Sequence, residues 1–258
     1  MIVQFAAPRY FAIEGASHEG MLTIGFDDGT DTDYTVAFPE MVSRGMRGTS
    51  YIVTNYVSNV EGYVTWEQLY EMQQAGWDLQ CHTQSHAHLP QKTDAQIQQE
   101  MYGVNEAFIQ HGLQPPTHHA YPFGEYDARV IANVRQHRYS MRATGGEMQD
   151  YRDIDWTRIN AYHGDISQET GYKSLKEFKQ RVNHAIAEKQ VMLAYWHRLT
   201  ETTEPYFIAF LDYVQASGIR VVTHAELYSR ARYIGWGGYK FVAPRQFVAP
   251  RQFVEPKV

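Results

Sequence analysis

The sequence predicts a single-domain α/β fold, a (β/α) barrel, from three observations. Short apolar runs rich in strand formers alternate with longer amphipathic segments along most of the chain. Helix-start signals recur between those runs. Residues of ligand or catalytic type stand just past the C-terminal ends of several runs, where the strands of a parallel barrel converge. Alternating strands and helices require parallel strands with helical crossovers, either in an open doubly wound sheet or in a closed barrel. The shared rim favours the barrel, and 258 residues suit one such domain.

Strands are predicted over 21–26, 49–53, 77–81, 118–121, 139–142, 158–162, 191–196 and 219–222. Between them, Ile97, Met101, Val104 and Phe108 share one helical face, and Leu175, Phe178, Val182 and Ile186 share another; both are packing stripes. Thr65 with Gln68, Thr93 with Gln96, Ser174 with Glu177 and Thr223 with Glu226 have the spacing of capping boxes. In that motif a hydroxyl satisfies an orphan amide and the residue three on reaches back. Residues 1–20 read as an N-terminal extension and 21–235 as the barrel. Over 236–258 a hexapeptide beginning at Phe241 recurs from Phe247 and, altered, from Phe253; a proline in each copy forbids a helix, so an extended tail is expected.

Hydrophobic residues at 43% and charged residues at 20% place the chain among globular proteins, not disordered ones. A net charge of -6 without any Lys/Arg-rich run argues against nucleic acid as a partner. No stretch has the length and apolarity of a membrane span, and the start, MIVQFAAPRYF, lacks the pattern of a secretory signal. The chain as given reads as soluble, either made without a leader or freed of one. Nineteen Tyr and five Trp suit both a core and sugar stacking. Cys81, the single cysteine, cannot form an internal disulfide and reads as a small buried hydrophobe at a strand end.

Five segments carry chemistry. The first predicted strand ends in Asp27-Asp28-Gly29; adjacent side chains at a strand end diverge, so one carboxylate can take a metal while the other faces a water. An isolated Asp-Gly turn is common, and the assignment depends on its company. His82-Thr83-Gln84-Ser85-His86 supplies it, placing two imidazoles four apart after the third strand, with His88 expected outside the ligand set. Two neutral imidazoles and the Asp28 carboxylate, with a position left for water, describe a catalytic zinc site and suit other borderline divalent metals. Tyr121-Pro122-Phe123-Gly124 is a strand-end turn whose amides can form an oxyanion hole, that of Phe123 first. Asp155-Trp156 offers a carboxylate to partner a histidine and an indole to stack on a sugar. His197 follows the apolar strand 191–196.

In order and type these segments resemble the motifs of the polysaccharide deacetylases with NodB homology, carbohydrate esterase family 4, from about Leu22 to His197. The resemblance implies a distorted (β/α) barrel of about seven strands, with zinc, or alternatively cobalt, on Asp28, His82 and His86. It implies Asp27 as base and His197 as acid, with Asp155 as the partner of His197. The substrate implied is an N-acetylated oligo- or polysaccharide, such as poly-N-acetylglucosamine, a chitin-like chain or peptidoglycan glycan. The family usually acts on extracytoplasmic polysaccharide. Two features depart from its pattern. Ala120-Tyr121 stands where many members carry an arginine that orients the base, a change similar to the branch acting on exopolysaccharide, and Arg152 replaces an acidic residue ahead of Asp155-Trp156. A small cyclic amide, as for an allantoinase, and a degenerate sugar-binding relative are the alternatives.

Overall fold

A computed structural model of the chain describes residues 19–171 and 173–235; the expected extension and proline-bearing tail, apart from Glu19 and Gly20, lie outside the described residues. Its strands are β1 (Met21–Asp28), β2 (Thr49–Ile52), β3 (Asp78–Cys81), β4 (His118–Ala120), β5 (Ser140–Arg142), β6 (Tyr162–His163), β7 (Val191–Trp196) and β8 (Arg220–Val221). Every pairing between them is parallel. Seven strands run in the order β5-β4-β3-β2-β1-β7-β6, curled into an incomplete barrel, and β8 pairs with β1. On one side β1 meets β7 from Met21 to Phe26; on the other it meets β8 at Met21 and Leu22, then β2 from Gly25 to Asp28. The expected distorted α/β barrel is therefore the fold.

Among the described residues six α-helices cross between strands, α1 (Phe38–Ser43), α2 (Trp66–Gln74), α3 (Asp94–Gln110), α4 (Ala128–Val134), α5 (Leu175–Glu188) and α6 (Glu204–Ser217), and α7 (His224–Gly235) follows β8. Thr65 and Thr93 form complete capping boxes with Gln68 and Gln96. Ser174 and Thr223 accept only the forward bond, because the Glu177 carboxylate turns to Lys173 N and Arg181, and that of Glu226 to Arg230. The sixth strand departs from expectation. Residues 158–161 span the gap between the edge strands, with one parallel bridge from Arg142 to Ile159, and regular pairing begins only at Tyr162.

Strand alternation sorts the core into two layers. Leu22, Ile24 and Phe26 of β1 and Met192, Ala194 and Trp196 of β7 pack under the helices, whereas Met21, Val191, Leu193 and Tyr195 join a second cluster closed by Val222, Leu227 and Ala231. Asp27 lies on the same inner face, level with Tyr51 of β2. A Cβ on Gly25 would stand 3.1 Å from the Tyr51 ring, so the glycine lets that ring cross below Asp27. Cys81 is fully buried, as expected. Among the described residues no helix is long and apolar enough to cross a membrane.

Asp33, in the turn after β1, is buried with its carboxylate accepting from Thr30 Oγ1 at 3.0 Å and Ser50 Oγ at 2.8 Å. Burial outweighs those bonds and pushes its pKa up to about 8. From about pH 4 to about pH 8 the folded state then holds a proton that the unfolded chain has lost, so Asp33 makes stability fall as pH rises through that window. Asp33→Asn is expected to flatten the decline, read by urea unfolding of both proteins at about pH 5 and about pH 9.

Candidate active site

The strand ends bring the expected ligands together. Asp28 closes β1 in the left-handed region at φ 75°, and Gly29 follows at φ 75°. After β3, Thr83 at φ 68° and His86 at φ 57° fold the chain so that both imidazoles face Asp28. Positive φ is costly for a β-branched residue, and here it is held in place. Glu100 on α3 accepts from Gln84 N at 2.8 Å, Ser85 N at 2.9 Å and Ser85 Oγ at 2.6 Å, while Thr83 Oγ1 takes Ala87 N at 3.3 Å. A Cβ on Gly103 would overlap Gln84 at 2.4 Å, so the glycine makes room for this loop against α3.

Asp28 Oδ1 stands 3.5 Å from His82 Nε2 and 3.3 Å from His86 Nε2. It is buried without a hydrogen-bond partner. His82 Nδ1–H donates to Ala120 O at 2.8 Å, which leaves the Nε2 lone pair directed at Asp28, and burial keeps the ring neutral by lowering its pKa. One orphaned carboxylate oxygen and two imidazole nitrogens suit a borderline divalent cation, so these residues fit one.

Asp27 is buried on the opposite side of its strand from Phe26 and holds an ion pair in which a single nitrogen, Arg142 Nη2, reaches both carboxylate oxygens at 2.5 and 2.6 Å. Burial alone would raise the Asp27 pKa; Arg142 first, then His82 and His197, outweigh it and hold the carboxyl below its ordinary range. Arg142 itself is buried between the rings of Tyr51 and Tyr195, at 5.0 and 4.3 Å from their centroids. Its place at the end of β5 bears on the departure of Ala120-Tyr121 from the family's pattern. The arginine absent ahead of Tyr121 is supplied from the next strand, whose Arg142 pairs with Ala120 in register.

His197 follows β7 and donates Nδ1–H to Asp165 Oδ2 at 2.8 Å, while His197 N donates to Asp165 Oδ1 at 3.0 Å. That bond is the largest of the influences that raise the His197 pKa. Asp155 is not its partner. The Asp155 carboxylate accepts from Thr157 N and Oγ1 and from Arg158 Nε, closing its own turn. Trp156 is likewise not presented as a stacking face: its indole packs on the second core cluster and meets Tyr228 edge-on at 4.9 Å.

The turn after β4 is divided between structure and site. Tyr121 is buried with its hydroxyl donating to Thr157 O at 3.0 Å, and Pro122 is buried, so neither side chain is offered to a ligand. Gly124 at φ 70° abuts Thr144, where a Cβ would come within 2.6 Å. Phe123, at φ 60°, is the exposed member; its ring stacks on His88 at 3.9 Å and meets His86 edge-on at 4.5 Å. Tyr121 N and Gly124 N are committed to Arg142 O and Tyr121 O, on either side of the Phe123 amide. His88, outside the ligand set, pairs with Glu125 at 2.8 Å.

Arg142, Asp165 and Glu100 are the site residues that the motifs did not pick out. Arg142 ends the predicted strand 139–142 and Asp165 lies three residues past 158–162, so inspecting every strand end would have found both. Glu100 sits on a packing helix and carried no signal of its own.

Fold and site together define a parallel α/β barrel with a hydrolase-like constellation at its C-terminal rim. The sequence profile described as "Polysaccharide deacetylase" matches residues 14–142, half of the 258-residue chain, and the chain belongs to the polysaccharide deacetylase family. It is 30% identical over 126 residues to YxkH of Bacillus subtilis (strain 168), whose name places it among the polysaccharide deacetylases; the match covers 49% of this chain and 45% of that relative. The chain thus matches less than half of that relative's length. The fold is similar to that of a family 4 carbohydrate esterase from Streptomyces lividans in complex with acetate, at a TM-score of 0.55 and 15% identity over 78% of this chain and 91% of that one. It is also similar to a family 4 acetyl xylan esterase from Clostridium thermocellum in complex with a cobalt ion, at a TM-score of 0.56 and 15% identity over 81% and 90%.

Proposed function

We propose that the protein hydrolyses N-acetyl groups on an N-acetylglucosamine-containing polysaccharide, of the poly-N-acetylglucosamine, chitin-like or peptidoglycan-glycan type. One observation carries the reading. A carboxylate held ionised by Arg142 and a histidine held protonatable by Asp165 accompany the convergent ligand set of Asp28, His82 and His86 at one rim. Asp28, His82 and His86 would hold a divalent cation, zinc or cobalt, which when bound supplies a Lewis acid and lowers the pKa of water.

The side chains do the rest. Asp27 accepts the proton of the attacking water at a carboxylate oxygen, and Arg142 keeps that carboxylate ionised and aimed. The Phe123 amide donates to the developing oxyanion, a contribution of about 10²- to 10³-fold in comparable sites. His197 delivers its Nε2 proton to the amine nitrogen, which leaves poorly unless protonated, while Asp165 fixes the ring through Nδ1. Asp165→Asn is expected to lower turnover by ~10²-fold, within the range of general-acid loss, whereas Asp155→Asn should change it little. Steady-state rates of the two variants check this.

The deciding experiment is acetate release from N-acetylglucosamine oligomers before and after chelation, with zinc or cobalt restored. Metal-dependent release is expected; no release from any oligomer by metal-loaded protein would overturn the reading. His82→Gln is expected to remove the tightly held metal, counted by dialysis and elemental analysis, along with the release.

A further inference from the structure

The rim holds a second convergence of ligand atoms beside the first. His163 ends β6 and Asp165 lies two residues beyond; His197 follows β7, and the two strands run in parallel register with His163 opposite Tyr195. Gly164 allows the tight turn between them, since a Cβ there would come within 2.4 Å of the Trp196 ring. Asp165 Oδ2 lies 2.8 Å from His197 Nδ1 and 3.2 Å from His163 Nε2, and the ligand atoms of all three residues lie within 4.8 Å of one another. The other carboxylate oxygen is fixed by His197 N at 3.0 Å. The side chains are 32%, 23% and 40% exposed for His163, Asp165 and His197, so an ion can reach them. Bonds from the two imidazoles hold Asp165 ionised well below the ordinary carboxylate range, against the opposing effect of burial.

We propose that His163, Asp165 and His197 form a second, conditional site for a borderline divalent cation such as zinc, and that filling it silences His197 as an acid. Two imidazoles and a carboxylate are the same donor set as in the first site. The difference lies in the tautomers. Ala120 O fixes the proton of His82 away from its ligand nitrogen, so His82 presents Nε2 to the first site. His163 Nδ1 has no hydrogen-bond partner, so its tautomer is set by what occupies the Asp165 side, a proton or a cation. With protons there, Asp165 orients His197; with a cation there, His197 Nδ1 is a ligand and the ring can no longer become an imidazolium. Cation binding stands on these three residues alone, while its effect on turnover rests on the reading of His197 as the acid.

The test is equilibrium dialysis of the whole chain against zinc alone, counting bound metal, with His163→Gln and Asp165→Asn in parallel. The wild type is expected to take a second, weaker equivalent after the first. Either variant should weaken that equivalent by at least ~100-fold, the upper end of what loss of a mere outer partner costs, and retain the first equivalent as proof of folding. Inhibition by excess zinc should appear with the second equivalent and vanish in His163→Gln. A wild type that stops at one equivalent which both variants retain, or a second equivalent that persists in both variants, overturns the proposal. Loss of the first equivalent alone, with a His163-dependent one remaining, would instead refute the ligand reading of Asp28, His82 and His86.

Discussion

Asp27→Asn is expected to lower deacetylation by ~10²- to 10⁴-fold, the range that general acid–base catalysis contributes, with bound metal unchanged. The reason is geometric and electrostatic. Asparagine occupies the same space, so the neighbouring Asp28, His82 and His86 keep their positions. It cannot take a proton from water, and the Arg142 guanidinium that kept Asp27 ionised then faces a neutral amide. The measurement is turnover together with metal content. Unchanged turnover would remove Asp27 as the base, and lost metal would place Asp27 among the ligands.

Arg142→Met is the variant with the largest expected effect on stability. Arg142 and Asp27 are both almost fully buried, and removing one partner leaves the other as an uncompensated charge. Breaking such a pair costs about 3–5 kcal/mol, whereas replacing both charges together is often close to neutral. The single variant is therefore expected to lose most of that amount, and Asp27→Asn with Arg142→Met to recover most of it. Neither should deacetylate: the first has a base that burial makes reluctant to ionise, and the second has none. Urea unfolding of the two single variants and the double variant closes the cycle. Additive losses would mean that the two residues do not act as a pair.

The departure at Ala120-Tyr121 from the family's pattern has a physical resolution in this pair. A base-orienting arginine need only bring its guanidinium to the base; it need not come from a given strand. β4 and β5 are neighbours in the barrel, and Ala120 and Arg142 are register partners, so the longer side chain on β5 reaches a carboxylate four strands along the sheet, on β1. It does so across the inner face, between Tyr51 and Tyr195. The missing motif arginine therefore gives no ground for reading the chain as a degenerate relative.

The sequence by itself determined the architecture and the grouping of Asp28, His82 and His86. Strand runs at seven of the eight places, the helix starts at Thr65 and Thr93 and the stripe from Ile97 to Phe108 are local patterns, and local patterns suffice where each element is decided by its own backbone preferences and its own buried face; in the second stripe Ile186 is exposed and Ala185 is buried instead. Asp27-Asp28 and His82 to His86 were legible for the same reason: each lies within a single turn, and that turn follows a strand whose end the sequence marks. Partner choice was decided only by the tertiary structure. Asp155 precedes a Trp as the motif suggests, yet it spends its oxygens on Thr157 and Arg158, while Asp165 reaches His197 because β6 and β7 are adjacent strands. Trp156 and Tyr121 carry residue types suited to sugars, but packing turned one against Tyr228 and tied the other to Thr157 O. Which carboxylate meets which imidazole, and which arginine meets which base, depends on the order of strands around a barrel and on the direction of each side chain. Those are long-range quantities that spacing along the chain does not encode.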